Sequence, residues 1–255
     1  MAFVVLVASL MFAAETKLTL KPGWEAAGSI ASEHATQAAA ADAKFAYAVS
    51  NTTVAQYDRT TGKQIQTGTM PDAKHLNSAY VHDGKIYCAH SNYPKTPHES
   101  DIRVFDPATG KLTLFHRFRE PPGSLVWCVV RDGRWWCCFA HYGNENAKTA
   151  LVEFADGFRE RRRWTFPNEV VADWDGMSTS GGIWDGDSLI VSHHHFRVLY
   201  RLTVPKVGDE LQFVEALRCP FPGQGIAIDP KTGGLVGIDR GKKSIVFAEK
   251  TKLAK

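Results

Sequence analysis

Two hydrophobic runs end in side chains that can do chemistry: KIYCAHSN at 85–92 and LIVSHHH at 189–195. Imidazole titrates near neutral pH, so a histidine at such an ending can shuttle protons or ligate a metal. His34, His75, His90 and Asp239 supply the nitrogen and oxygen donors that suit a divalent transition metal. An open coordination position would then let that metal activate water. His193 and His141 are candidates for acid–base work, and Asn77, Asn92, Tyr93 and Arg240 for ligand binding. Each has a structural alternative. His34 and His75 could bond a backbone carbonyl, and Asp239 could pair with Arg240. His193, His194 and His195 are consecutive, so in an extended segment they cannot all face one way. Asp173 and Asp175 could be rim acids, but they read better as turn residues bonding their own backbone.

The elements that must position these residues are written in the turns. DGK (83–85), DGR (132–134) and DGD (185–187) each join two apolar runs, the signature of a tight hairpin with positive φ. DAK (42–44) and DPKTGG (229–234) stand in the same place in their own units. A second series follows: YDRTTGK (57–63), FDPATGK (105–111), FADGF (154–158) and VPKVGDE (204–210). The chain therefore divides into four-stranded units at 34–70, 75–119, 124–168 and 177–222, with a three-stranded unit from Gly223 onward. Turn positions Ala43, Gly84, Gly133, Gly186 and Gly233 are 41, 49, 53 and 47 residues apart, typical of propeller blades. No helical periodicity of any length is visible. The predicted fold is all-β: a five-bladed β-propeller in which an N-terminal strand, WEAAGSI (24–30), closes the last blade. A two-sheet sandwich is the alternative.

The D-x-x-TGK hairpins resemble those of quinoprotein-like and YVTN-type propeller repeats. Size and blade count are similar to those of the secreted five-bladed glutaminyl cyclotransferases. The resemblance covers nearly the whole chain after the leader and implies a fold, because such turns specify architecture and many functions share it. No catalytic motif of the cyclotransferases can be placed residue by residue.

In a propeller the loops entering the inner strands and the loops joining second to third strands share one face. Counting from each turn puts His34, His75, Ser124 and Met177 before inner strands. Val49, His90, Phe139, Ser192 and Asp239 fall at the ends of second strands. Of ten histidines, only His82 and His116 fall away from this face. The Pro-rich loop SNYPKTPHES (91–100) is a rim that could shape a pocket.

The 255 residues are 44% hydrophobic and 22% charged, enough for a sizeable core. A net charge of +3 is too weak to imply nucleic acid, and RERRR (159–163) reads as an exposed strand. Residues 1–14, MAFVVLVASLMFAA, read as a secretory signal without the usual preceding positive charge, leaving 15–255 as one propeller, secreted or periplasmic and monomeric. The run is too short to span a bilayer comfortably, and nothing later could. Trp135 and Trp136 sit mid-strand and read as packing. The five cysteines lack CxxC spacing. Cys128 and Cys137 face each other across the DGR hairpin, and a bridge or free thiols both fit. The expected function is binding of a small polar ligand at a His/Asp/Asn-lined channel mouth, by a metal-assisted hydrolase or lyase. The alternative is a non-catalytic propeller binding a peptide or glycan, and a more distant one is glutaminyl cyclotransferase-like chemistry, which needs a buried acid at the mouth.

Overall fold

Asp83–Gly84 and Asp132–Gly133 take positive φ at both positions (47° and 72°, 52° and 71°), the backbone a two-residue type I′ hairpin requires. The third such turn differs. Asp185 pairs with Ser188, so its loop is Gly186–Asp187, one residue later, and only Gly186 has positive φ. This shift matters below. The structure, a computed structural model, describes residues 16–252, and the predicted leader lies outside the described residues.

Among the described residues twenty-two strands form five small sheets in a ring, a five-bladed β-propeller. β1 (Leu20–Lys21) and β2 (Trp24–Ala31) precede the first blade. Blade one is β3 (Ala38–Ala41), β4 (Phe45–Val49), β5 (Thr53–Asp58) and β6 (Gln64–Thr69). In blade two the inner edge is broken into β7 (His75–Leu76) and β8 (Tyr80–His82). Both pair with β9 (Lys85–Ser91), followed by β10 (Ser100–Asp106) and β11 (Lys111–Arg117). Blade three is β12 (Ser124–Arg131), β13 (Arg134–Ala140), β14 (Ala150–Ala155) and β15 (Arg159–Thr165). A six-residue helix, α1 (Asn168–Asp173), which sequence periodicity did not reveal, links it to blade four. That blade is β16 (Thr179–Asp185), β17 (Ser188–His193), β18 (Val198–Thr203) and β19 (Gln212–Arg218), with β1 added in parallel outside β19. Blade five is β20 (Ala227–Ile228), β21 (Leu235–Asp239) and β22 (Ser244–Lys250), completed by β2 as predicted.

Small residues at the inner edges follow from geometry. Five inner strands converge on one axis, where backbones approach too closely for side chains. A Cβ on Gly225 would lie 2.6 Å from Ala38 Cβ and 3.1 Å from Ser78 Cα, and one on Gly181 would lie 2.7 Å from Ile226 N. Between blades there is more room. Trp127, Trp136, Trp164 and Trp174 fill the space between blades three and four, and Gly182 leaves room for the Trp127 ring. The fourth strand of every blade carries a one-residue bulge, leaving Ile65, Phe115, Arg161, Val214 and Ala27 unpaired. Bulges of this kind twist an exposed edge away from further pairing. All five cysteines are buried free thiols, with Cys128 opposite Cys137 in the expected register. Among the described residues no helix is long and apolar enough to cross a membrane.

Gly225→Ala is expected to lower stability by about 2–3 kcal/mol through overpacking at the axis. Gly28→Ala, whose Cβ would meet nothing within 4 Å, should stay within about 0.5 kcal/mol of the parent. Urea unfolding of the two variants separates axial crowding from a general intolerance of alanine in these strands.

Candidate functional site

Side chains of a propeller's second strands stand on sheet faces, so they point at neighbouring blades and not at the axis. Pairing from the turns makes His90, Phe139, His193 and Asp239 equivalent, and each faces the preceding blade. His90 is 4% exposed. Its Nε2 accepts the Lys74 N–H (2.9 Å), which leaves the proton on Nδ1, 3.0 Å from Asp101 Oδ1 and off the line of a good hydrogen bond. His193 is fully buried: Nδ1 accepts the N–H groups of His195 (2.8 Å) and Phe196 (2.9 Å), Nε2 faces the Asp173 carbonyl at 3.3 Å, and its ring stacks on Phe196. Asp239 caps the turn at Lys242 N (3.1 Å) and pairs with Arg197 (3.3 Å).

The expected metal set is therefore not assembled. His90 and Asp239 are turned sideways into different inter-blade seams, and His34 lies 3.8 Å from Glu33 in the turn before blade one. Among the described residues no three His, Cys, Asp or Glu side chains converge to hold a metal ion. His193 is likewise not placed for catalysis, since both its nitrogens serve the fold. His141 points its Nε2 at the Pro122 carbonyl, 2.6 Å away. Asn77 donates to Leu125 O (3.0 Å) and ties blade two to blade three. Asn92 holds the 91–100 loop shut, donating to Pro97 O (3.0 Å) and accepting Glu99 N–H (2.9 Å). Asp173 is no rim acid. Its carboxylate accepts Thr16 Oγ1 (2.7 Å), Lys17 N (2.6 Å) and Tyr200 OH (2.7 Å).

Three expected residues do meet at the mouth: His75, Tyr93 and Arg240. The late turn of blade four advances its register by one, and a one-residue slip exchanges the two faces of a strand. His194, not His193, thus stands at the mouth. An arc of rings runs His75–Tyr93 (5.6 Å), Tyr93–Tyr142 (4.7 Å) and Tyr142–His194 (6.4 Å between centroids). Ser180 is the unpaired residue of a bulge in β16, which aims its hydroxyl at His194 Nδ1, 2.6 Å away. Gln224 donates to the His194 carbonyl (2.9 Å). Arg240 closes the ring from blade five, its guanidinium donating to Thr36 O (2.7 Å) and, at 3.4 Å, to Gln37 Oε1. Sequence reasoning missed Tyr142, Ser180 and Gln224. Tyr142 was findable, since it directly follows His141 in the same loop column.

The electrostatics are one-sided. Burial, then the charges of His195 and Arg240, drive His194 down to about 3. Burial, then His90 and Arg240, lowers His75 as well. Burial raises the Tyr142 hydroxyl well above its ordinary value. Both imidazoles are therefore neutral at pH 7, and Arg240 is the cation of the mouth. No carboxylate pairs with Arg240 among the described residues, and burial lowers its pKa too. On the opposite face, around the same axis, a cavity of about 360 Å³ is lined by apolar side chains including Val81, Val130, Ile183 and Ile228. It carries none of this chemistry.

No family model matches the chain, and no curated protein matches it. Among solved structures the glutaminyl cyclase of Myxococcus xanthus is similar in fold. It covers 90% of this chain and 98% of its own, with 10% identity and a TM-score of 0.60. A chain of a mitotic checkpoint complex covers 99% of this chain and 98% of its own at 10% identity and a TM-score of 0.47.

His193→Ala should cost about 3 kcal/mol, because it strands two backbone N–H groups and removes a buried ring. His194→Ala should cost about 1 kcal/mol, since its ring loses one side-chain hydrogen bond, to Ser180, and holds no backbone group in place. Both histidines are held neutral in the fold, His193 at about 4, while the unfolded chain protonates near 6.5. Their contribution is thus complete above pH 6.5. It falls by at most about 1.4 kcal/mol per pH unit for each as pH drops toward 4. Urea midpoints at pH 8, 6 and 5 check this. His193→Ala should flatten the slope.

Proposed function

We propose that this propeller is a recognition module whose polar mouth binds a small molecule bearing a negatively charged group. The supporting observation is the unpaired guanidinium of Arg240, ringed by neutral hydrogen-bonding groups from several blades. A solvent-exposed cation without a carboxylate partner, already tethered to the backbone at Thr36 O, favours an anionic ligand, and charge-assisted hydrogen bonds are the strong ones. Neutral His75, His194 and Ser180 would orient the rest of the ligand, and the Tyr93 and Tyr142 rings would flank it. Acid–base catalysis is the weaker reading. A general base works best with a pKa near the working pH, and His194, held at about 3, is far below it. Export through the apolar leader belongs to the same proposal.

The likeness to the Myxococcus xanthus glutaminyl cyclase raises an enzymatic alternative, supported by fold and coverage alone. Such chemistry would want an acid at the mouth. The buried carboxylates Asp101, Glu153, Asp173, Asp229 and Asp239 are all engaged elsewhere.

The test is a thermal-shift and calorimetry panel of small carboxylates, amino acids, uronic acids and glutaminyl peptides. At least one acid should bind saturably. Arg240→Ala should weaken it by about 2 kcal/mol, roughly thirtyfold, while leaving the unfolding temperature of the free protein near that of the parent. Binding that is indifferent to Arg240→Ala and His194→Ala would remove the mouth as the site. Turnover of a glutaminyl peptide would establish the enzymatic alternative.

A further inference from the structure

The 91–100 loop has two sides. Its inner side presents Tyr93 to the mouth. Its outer side, with His98 and Glu99, roofs a separate cavity of about 580 Å³ on blade two. The inner wall of this cavity is charged and almost fully buried: Arg103 is 1% exposed, His90 4% and Asp101 5%. Arg103 is gripped from both sides. Asp101 accepts from Nε (2.5 Å) and NH2 (3.0 Å), and Asp72 from NH1 (2.8 Å) and NH2 (3.1 Å). Burial opposes the charge on Asp101, yet His90 and Arg103 together hold its pKa below the usual carboxylate range. A desolvated network of this kind is costly to build for stability alone, and such clusters in cavities mark functional sites.

The charges lining the cavity do not cancel. Leaving the histidines aside, three carboxylates (Asp72, Glu99 and Asp101) face four cations (Lys74, Arg103, Arg117 and Arg119); Asp72 and Asp101 share Arg103, and Glu99 pairs with Lys74 at 2.9 Å. Arg117 and Arg119, both exposed on the outer side of the same cavity, have no ion-pair or hydrogen-bond partner among the described residues. His98 adds a neutral imidazole. Its Nδ1 lies 3.4 Å from Ser124 Oγ, and Nε2 has no hydrogen-bond partner among the described residues. Every lining carboxylate is thus satisfied while two guanidinium groups are not. Guanidinium pairs bind tetrahedral and planar oxyanions in bidentate fashion.

We propose that this cavity is a second ligand site, distinct from the mouth, that takes a small oxyanion, a phosphate or carboxylate group, between Arg117 and Arg119, with His98 donating a further hydrogen bond. Blade two then carries two sites separated by one loop, and Asn92, which ties that loop shut, positions both Tyr93 and His98.

The experiment titrates inorganic phosphate, and separately acetate, into the full chain at constant ionic strength, by calorimetry and by 31P NMR for phosphate. One saturable equivalent that persists in R240A and is weakened tenfold or more in R117A/R119A is expected, any binding at the mouth adding a second equivalent that R240A removes. Preference between the two probes identifies which oxyanion the cavity selects. Both substitutions lie on the surface, so circular dichroism and unfolding temperature should match the parent. The proposal is overturned if neither probe binds saturably, if R117A/R119A binds as well as the parent, or if R240A alone abolishes binding. The last result would assign the anion to the mouth.

Discussion

Everything in this molecule depends on how closely five inner strands approach one axis. Between Gly225, Ala38, Ser78 and Gly181 there is no room for a further Cβ, so the axis is narrowed by backbone and not by large side chains. That waist separates two mouths. Below it the lining is apolar and the hairpin turns crowd together. Above it the strands diverge, a bulge frees Ser180, and polar side chains gain access to a shared space. The ring is held to this geometry by its closure: β2 pairs with β22, and Arg59 of blade one binds Asp229 of blade five in a bidentate pair buried from solvent. Removing one member of such a pair leaves a charge that water cannot reach, which is why it resists opening.

The same packing decides what each histidine does. A propeller blade has two faces, and both are covered by neighbours. Only the inner edge and the loops see the axis. A histidine on a face is drawn into an inter-blade seam, where both nitrogens must find partners or be desolvated without compensation. His193 obeys this rule with both nitrogens and His90 with Nε2, each fixing a neighbouring backbone segment, while His90 Nδ1 has only the nearby Asp101 carboxylate for compensation. His75 and His194 escape it. Their partners are few, their surroundings are aromatic, and Arg240 close by discourages protonation. The mouth is therefore a ring of neutral donors and acceptors around one cation.

Much of the fold was legible because hairpin chemistry is local. Asp-Gly needs no distant residue to take positive φ, and three such turns, with DAK (42–44) and DPKTGG (229–234) at matching intervals, imply blades. The closing strand at 24–31 was legible because the fifth unit lacked one and the sequence before the first unit could supply it. The site was less legible. His75, Tyr93 and Arg240 stand on the face to which counting from the turns assigned them. His34, His90, His141, His193 and Asp239 were placed at about the correct height only, because counting along a strand cannot say which face meets which neighbour.

One residue illustrates the boundary. The third DG turn looks identical to the others in the sequence, yet the hairpin forms at Gly186–Asp187. The slip moves His193 into a seam and His194 to the mouth. Local backbone preference, read along the chain, determined the blades, their order and the closure of the ring. Tertiary packing alone decided which strand face was buried against which blade. Side-chain direction alternates with every residue, and a single-residue change in register is invisible until the partner strand is in place.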